Sequence, residues 1–284
     1  MFPHEPQYFY VSSQGKIHYR QYIKENGPII CILPGFTLPS ALFHLLALKL
    51  NENGFSVLVI DYWGRSFSDP IPERSYPFSC YSKMVLTLLE HLEIKRCSFI
   101  GFSFGAAVVA DLVVQNSNLV EKMIFISPFH FNSNAISPIQ KLTLGTPFIG
   151  PLILKYSAKS VIPYSIEQQL FNPESDQNLK EEIISLCVEQ FTHNYSHPAA
   201  IASSISLYDP SEIDKAFAGL ARVNKKMLIL LGKGVHIVDI EKCQSWWTRW
   251  IPNSIINVID EAGHLLMIEK LDDVVSQILI FFQK

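Results

Sequence analysis

The chain has 284 residues, of which 48% are hydrophobic and 17% charged, so it can build a sizeable core and carries no signature of disorder. This length fits one large α/β domain or a core with an inserted subdomain. The net charge is −3 and no basic block stands out, which argues against a nucleic-acid-binding protein.

The first half of the chain alternates strand-like and helix-like segments. Residues 8–22 predict an opening hairpin, because two strand-like runs are joined through a turn ending at Gly15. Residues 29–33 and 55–60 are continuous apolar runs, typical of strands buried on both faces. Helices are predicted between these runs and from about residue 78 to 92. Such alternation favours a mainly parallel sheet with helices on both faces.

The stretch from Ile100 to Gly105 predicts a strand, a sharp turn and a helix in direct succession. Its Gly-x-Ser-x-Gly spacing has a steric reason, since side chains at the two glycines would collide with the neighbouring strand and helix. Ser103 then lies at a helix N-terminus, where a developing negative charge is favoured. An ordinary glycine-rich turn with an idle serine is the alternative interpretation.

The strand–helix rhythm stops after Ser127 and Pro128. Residues 129–224 contain no convincing buried strand and many prolines, and a structureless loop of that length is implausible in a compact domain. We therefore predict a helical lid at 129–224, inserted into a core formed by residues 1–128 and 225–284. The rhythm resumes with a strand ending at Gly232.

His264 lies on the loop between the last predicted strand and the last helix. Carboxyl ends of parallel strands share one edge of the sheet, so this loop is predicted on the same side as Ser103, where open α/β sheets bind ligands. His264 is thus a candidate general base for Ser103. A lone loop histidine is also often a bystander.

With these motifs the chain resembles the α/β-hydrolases, in particular the lidded esterase, lipase and carbon–carbon hydrolase group, over nearly its whole length. The resemblance implies a mostly parallel eight-stranded sheet, with Ser103 as nucleophile and His264 as base, because the family's order is serine, acid, histidine. It also implies that the backbone N–H groups of Phe36 and Phe104 bind the oxyanion. Pro34 stands where the family's oxyanion loop has histidine.

Two further family motifs depart from their usual pattern. The segment from Asp61 to Ser68 matches a structural motif of the family, with Ser66 in place of a glycine. The resemblance places the triad's acid three residues after Gly232, where this chain has Val235.

Three interpretations of the missing acid stay open at this point. A carboxylate can come from elsewhere, with Asp239 the nearest candidate and Asp209 a weaker one. The enzyme can work as a serine–histidine dyad on an activated ester. The protein can also have lost hydrolysis and kept a binding pocket.

The sequence thus predicts hydrolysis of a carboxylic ester or thioester with an apolar acyl group through an acyl-Ser103 intermediate, with no cofactor or metal. The alternatives are a non-catalytic or ligand-sensing protein of the same fold and a carbon–carbon bond hydrolase. Lys155 and Lys159, one helical turn apart, are compatible with an acyl carrier as partner, although a solvated face is the simpler explanation.

No apolar run approaches the roughly 20 residues that span a bilayer, and the first residues do not resemble a signal peptide. The five cysteines are scattered and mostly flanked by apolar residues, so they predict reduced thiols in a cytoplasmic protein.

Overall fold

A computed structural model describes residues 7–36, 38–71, 76, 78–128, 139, 142–143, 146, 148–192, 209–234 and 239–283. Eight strands of this part of the chain form one sheet in the order β1-β2-β4-β3-β5-β6-β7-β8. Their bounds are β1 Gln7–Ser12, β2 Gly15–Tyr22, β3 Ile29–Leu33, β4 Ser56–Ile60, β5 Cys97–Phe102, β6 Val120–Ile126, β7 Met227–Gly232 and β8 Ser254–Ile259.

Helices follow most of the strands. In the described residues, the α-helices are α1 His44–Glu52, α2 Ser79–His91, α3 Phe104–Gln115, α4 Ile149–Gln169, α5 Gln177–Thr192, α6 Pro210–Leu220, α7 Ile240–Trp250, α8 Leu266–Glu269 and α9 Leu271–Gln283. The same residues include short 3-10 helices at Ser40–Phe43 and Ser117–Leu119.

The sheet is mostly parallel. Strands β1 and β2 form the predicted antiparallel hairpin, and β2 also pairs antiparallel with β4. Every pairing from β4 through β8 is parallel. The predicted fold class, an eight-stranded sheet with α/β-hydrolase topology, is confirmed, and the carboxyl ends of β3 to β8 lie along one edge.

Each face of the sheet carries its own apolar cluster. One cluster combines strand residues with α2, α3, α6 and α7, and the other combines strand residues with α1, α4, α5 and α9. Strand β5 lies between β3 and β6 and is buried at all six positions. Because both faces are covered, its sequence is a continuous apolar run and not an alternating one.

The described part of the predicted lid is helical. Helices α4 and α5 pack against each other, and Ile166 and Ile183 join the second cluster. Helix α6 instead packs on α3, with Phe217 fully buried in the first cluster. Residues 210–220 therefore pack as part of the core's helical layer, and the division of the chain at 129 and 224 stays a prediction.

Within the described residues, no helix is both long and apolar enough to cross a bilayer. All five cysteines lie in this part of the chain, and none forms a disulfide.

Candidate active site

Ser103 occupies the turn between β5 and α3, as predicted. Its backbone has φ 51° and ψ −116°, a conformation that a non-glycine residue adopts only where the surroundings enforce it. The serine N–H donates to the Ile126 carbonyl on the neighbouring strand, at 2.9 Å. Ser103 is only partly buried and lies at the carboxyl edge of the sheet.

The two glycines of the motif have no space for a side chain. A Cβ on Gly101 would lie 2.6 Å from Ala106 Cα in α3, and a Cβ on Gly105 would lie 2.1 Å from the Leu33 carbonyl oxygen of β3. These are backbone atoms, which cannot rotate away. The steric reason inferred from the spacing is confirmed at both positions.

The two residues predicted to bind the oxyanion lie side by side. Phe104 is the first residue of α3, so its N–H has no acceptor within the helix. Phe36 lies on the loop after β3, and its ring contacts the Phe104 ring edge-on, with 5.1 Å between the ring centroids. Tertiary packing thus brings together residues that are far apart in the sequence.

His264 lies on the loop after β8, next to the turn that carries the serine. Its ring packs edge-on against Phe102, the residue before Ser103, with 5.1 Å between centroids. Its backbone is held from two sides, because its N–H donates to Leu170 O at 2.7 Å and its carbonyl accepts from Ser127 Oγ at 2.9 Å.

The imidazole of His264 is buried and incompletely partnered. The residue is 2% exposed, and burial lowers the pKa of His264 to about 4, so the ring is neutral at pH 7. Nδ1 is buried without a hydrogen-bond partner among the described residues. A buried polar atom without a hydrogen-bond partner costs about 1–3 kcal/mol. Because Nδ1 has no such partner within the described residues, no hydrogen bond at this atom fixes the tautomer of the imidazole.

Neither of the candidate carboxylates is hydrogen-bonded to His264 Nδ1. Asp239 caps the N-terminus of α7: its side chain accepts the Lys242 N–H at 3.0 Å. This bond and the Lys242 ammonium hold the pKa of Asp239 below its usual value. Asp209 caps α6 by accepting the Ser211 N–H at 2.8 Å. The acid role of Asp239 stays a prediction that this geometry does not favour.

Val235 lies outside the described residues, but the segment that leads to it is well defined. Gly234 donates its N–H to Ala262 O at 2.8 Å, two residues before His264. A Cβ on Gly232 would lie 2.2 Å from Gly263 O. The position at which the family usually has its acid therefore comes immediately after a segment that contacts the histidine loop.

Glu269 is a site residue that the sequence analysis missed. Its Oε2 accepts the Gly263 N–H at 2.8 Å, and its Oε1 accepts from the Asn172 N–H at 2.8 Å and from Ser175 Oγ. One carboxylate therefore ties the histidine loop to the segment between α4 and α5. No local signal marks this residue, because two of its three partners, Asn172 and Ser175, lie more than ninety positions away.

No group of three or more His, Cys, Asp or Glu side chains is placed to hold a metal ion in the described ranges.

Comparison with known proteins agrees with this architecture. A sequence model described as alpha/beta hydrolase fold matches residues 28–151, which include the loop after β3 and the Ser103 turn. A thermophilic esterase from Thermogutta terrifontis superposes with a TM-score of 0.78 over 98% of each chain at 18% identity. The chain is an α/β-hydrolase-fold protein.

Curated relatives of this α/β-hydrolase-fold protein include hydrolases of different kinds. The uncharacterized hydrolase YugF of Bacillus subtilis is 20% identical over 270 residues, which is 94% of each chain. A 2-hydroxy-6-oxononadienedioate/2-hydroxy-6-oxononatrienedioate hydrolase of Pseudomonas putida is 22% identical over 81% of this chain and 78% of its own length. The predicted resemblance to the α/β-hydrolases is confirmed, and the relatives support hydrolase chemistry at a coarse level.

We expect Gly105→Ala to destabilise the protein by about 3 kcal/mol or more, at or above the upper end of usual overpacking costs. The reason is the 2.1 Å approach of the new Cβ to a backbone oxygen of β3. Urea unfolding followed by circular dichroism measures the change.

Gly219→Ala is the matched control for this prediction. Its Cβ would meet a methyl group of Val114, at 2.6 Å, and this partly exposed side chain can move. The control should change stability by about 1 kcal/mol or less, because alanine also favours the helix. Equal effects of the two substitutions would contradict the steric argument.

Proposed function

We propose that the protein is a serine hydrolase that cleaves a carboxylic ester or thioester with an apolar acyl group. The observation that carries the proposal is the strained backbone of Ser103 at the N-terminus of α3, beside Phe36 and next to the buried His264 loop. Strain of this kind costs about 1–3 kcal/mol and is kept where the surrounding structure enforces it, most often at functional sites.

In the proposed mechanism, Ser103 Oγ attacks the acyl carbon while His264 accepts the hydroxyl proton. The carbonyl oxygen becomes an oxyanion, to which the N–H groups of Phe36 and Phe104 donate. Collapse of this intermediate expels the alcohol or thiol, which takes the proton from His264, and leaves an acyl-Ser103 ester. A water molecule, deprotonated by His264, then hydrolyses that ester in the same way.

We further propose that Ser103 and His264 work as a dyad. The support is that Asp239 and Asp209 each cap a helix, while His264 Nδ1 has no partner in the described structure. Without a carboxylate the imidazolium formed during attack is poorly stabilised, and loss of that group costs about 10⁴ in kcat in serine proteases. Substrates with a good leaving group, such as thioesters or activated esters, suit such a dyad.

The proposal of an apolar acyl group rests on the apolar composition of the predicted lid, of which Ile166, Phe171 and Ile183 pack into the second cluster. An acyl carrier stays a candidate partner, with exposed Lys155 on α4; the side chain of Lys159 lies outside the described residues. We assign the protein to the cytoplasm, because reduced cysteines suit a reducing compartment.

A second candidate is a ligand-binding protein that has lost hydrolysis. The unpartnered Nδ1 of His264 favours it, because a binding pocket needs no oriented base. The two candidates differ in the reactivity of Ser103, which the first experiment below measures.

Treatment with a fluorophosphonate should give a single covalent adduct on Ser103, because the strained turn exposes its hydroxyl beside two oxyanion donors. Peptide mass spectrometry locates the adduct. Ser103→Ala should abolish it, whereas Ser117→Ala, which removes an exposed serine beyond the C-terminal end of α3, should keep it. Absence of labelling in the wild-type protein would favour the ligand-binding candidate.

The pH dependence of kcat/KM should show an acid limb near pH 4, and not near the usual histidine value of about 6.5. The sign follows from burial: the neutral base is favoured, so it stays unprotonated as the pH falls to about 4. Rates for a p-nitrophenyl ester between pH 3.5 and 8 give the profile.

Val235→Asp tests the dyad in the same assay. A carboxylate at the position where the family usually has its acid should raise kcat and move the acid limb upward, because a carboxylate that reaches His264 favours the imidazolium. Asp239→Asn is the control and should change kcat by less than about threefold, since that side chain caps α7. A loss of several orders of magnitude in Asp239→Asn would establish Asp239 as the acid.

The acyl preference should rise from acetyl to medium-length chains. Each methylene that enters an apolar pocket contributes about 0.8 kcal/mol, or roughly fourfold in kcat/KM. A series of p-nitrophenyl esters from two to ten carbons measures the slope. A flat or falling series would contradict an apolar acyl pocket.

A further inference from the structure

The loop that carries Phe36 is bound to the loop after β4 at three places. We call residues 34–36 and 38–40 the oxyanion loop, and residues 61–69 the Asp61 loop. Three hydrogen bonds with oxyanion-loop backbone atoms join them: Tyr62 Oη to Pro34 O (3.2 Å), Arg65 Nε to Phe36 O (3.0 Å) and Ser40 N to Asp61 Oδ1 (2.8 Å). The Asp61 loop therefore holds the start, middle and end of the oxyanion loop.

Arg65 makes the contacts closest to the proposed oxyanion donor. The residue is 2% exposed, and its guanidinium lies over the Phe36 ring with 5.1 Å from Cζ to the ring centroid. The same side chain binds the Phe36 carbonyl through Nε, so it fixes both the ring and the backbone of this residue. A planar guanidinium can stack and donate at once, which a lysine ammonium cannot do.

The guanidinium is itself held in one orientation. Its other nitrogens donate to Trp63 O at 3.3 Å and to Tyr81 Oη at 3.5 Å. Tyr81 also packs edge-on against Phe104, with 5.3 Å between ring centroids. Arg65 thus contacts Phe36 directly and reaches the second donor residue through Tyr81.

We propose that Arg65 is a positioning residue that sets the Phe36 N–H toward the oxyanion of the reaction. The proposal rests on the proposed function and adds a residue that acts on the transition state. A misplacement of about 1 Å can cost about 10² in rate. The donor acts on charge that develops only in the transition state, so its misplacement affects kcat and not substrate binding. Removal of Arg65 should therefore lower kcat and leave KM nearly unchanged.

The first variants are Arg65→Met and Arg65→Lys. We expect kcat for a p-nitrophenyl ester to fall about 100-fold in Arg65→Met, the range for loss of one oxyanion donor. Arg65→Lys should recover only part of this loss, because it keeps the charge and loses the planar fork. If Arg65→Met does not fold, Arg65→Lys alone decides, since it retains a buried cation.

Lys122→Met is the matched control. Lys122 also donates to backbone carbonyls, those of Phe281 and Phe282, and lies over their rings at 5.2 and 5.3 Å, but it anchors the C-terminal helix. This variant should lose thermal stability and keep kcat. A loss of kcat in the Arg65 variants no larger than in Lys122→Met, or full activity in Arg65→Lys, overturns the proposal.

A boronic acid provides a readout that a general loss of stability would not move. Its tetrahedral adduct with Ser103 places an oxygen at the oxyanion position, so its affinity should weaken in step with kcat in the Arg65 variants. The acid limb of the pH profile should stay unchanged, because His264 is not altered; a shifted limb would overturn the assignment.

Wild-type labelling separates the two hypotheses. If the wild-type protein forms no fluorophosphonate adduct on Ser103, the proposed function fails and this proposal fails with it. If Ser103 is labelled and the Arg65 variants behave as Lys122→Met does, only the role of Arg65 is refuted.

Discussion

The contact on which the site depends is the close approach of α3 to β3. Gly105 lies so near the Leu33 carbonyl that not even a methyl group fits between them. This approach forces the chain to turn within one residue after β5, and Ser103 takes the strained conformation that the turn requires. It also brings the first N–H of α3 beside the loop that leaves β3. The position of the serine and the place of both proposed oxyanion donors therefore follow from one steric constraint.

The histidine side of the site is built differently, from hydrogen bonds that hold the loop and not the ring. Ser127 and Leu170 bind the backbone of His264, and Glu269 binds Gly263. The imidazole is buried with its Nδ1 unpartnered in the described structure, so the loop is placed firmly while the base is weakened. Such a base is neutral at physiological pH but gains a proton at a high energetic cost. In the proposed dyad nothing offsets this cost, whereas in a triad a carboxylate does so.

The segment between α4 and α5, which belongs to the predicted lid, takes part in this arrangement through its backbone. Leu170 O accepts the His264 N–H, and the Asn172 N–H donates to Glu269, which holds the histidine loop. A movement of this segment would therefore act on His264. The Asp61 loop supports the opposite wall in a comparable way, through Tyr62 and Arg65. The two sides of the site are thus held by segments that carry none of the reacting groups.

The sequence by itself determined the features whose causes are local. The Gly-x-Ser-x-Gly turn between an apolar run and a small-residue helix was predictable because the whole motif lies within six residues, although the strand that crowds Gly105 comes from elsewhere in the chain. The continuous apolar runs predicted a sheet buried on both faces. The role of Asp239 was decided by the tertiary structure, because a carboxylate four residues past the usual acid position can either face the histidine or cap the next helix. In this chain it caps α7, where the helix dipole and the Lys242 ammonium both stabilise its negative charge. Glu269 and Arg65 could not be found from the sequence either. Glu269 binds Asn172, 97 positions away, and Arg65 binds Phe36, 29 positions away. Only the packing of strands and helices brings such distant residues within hydrogen-bonding distance.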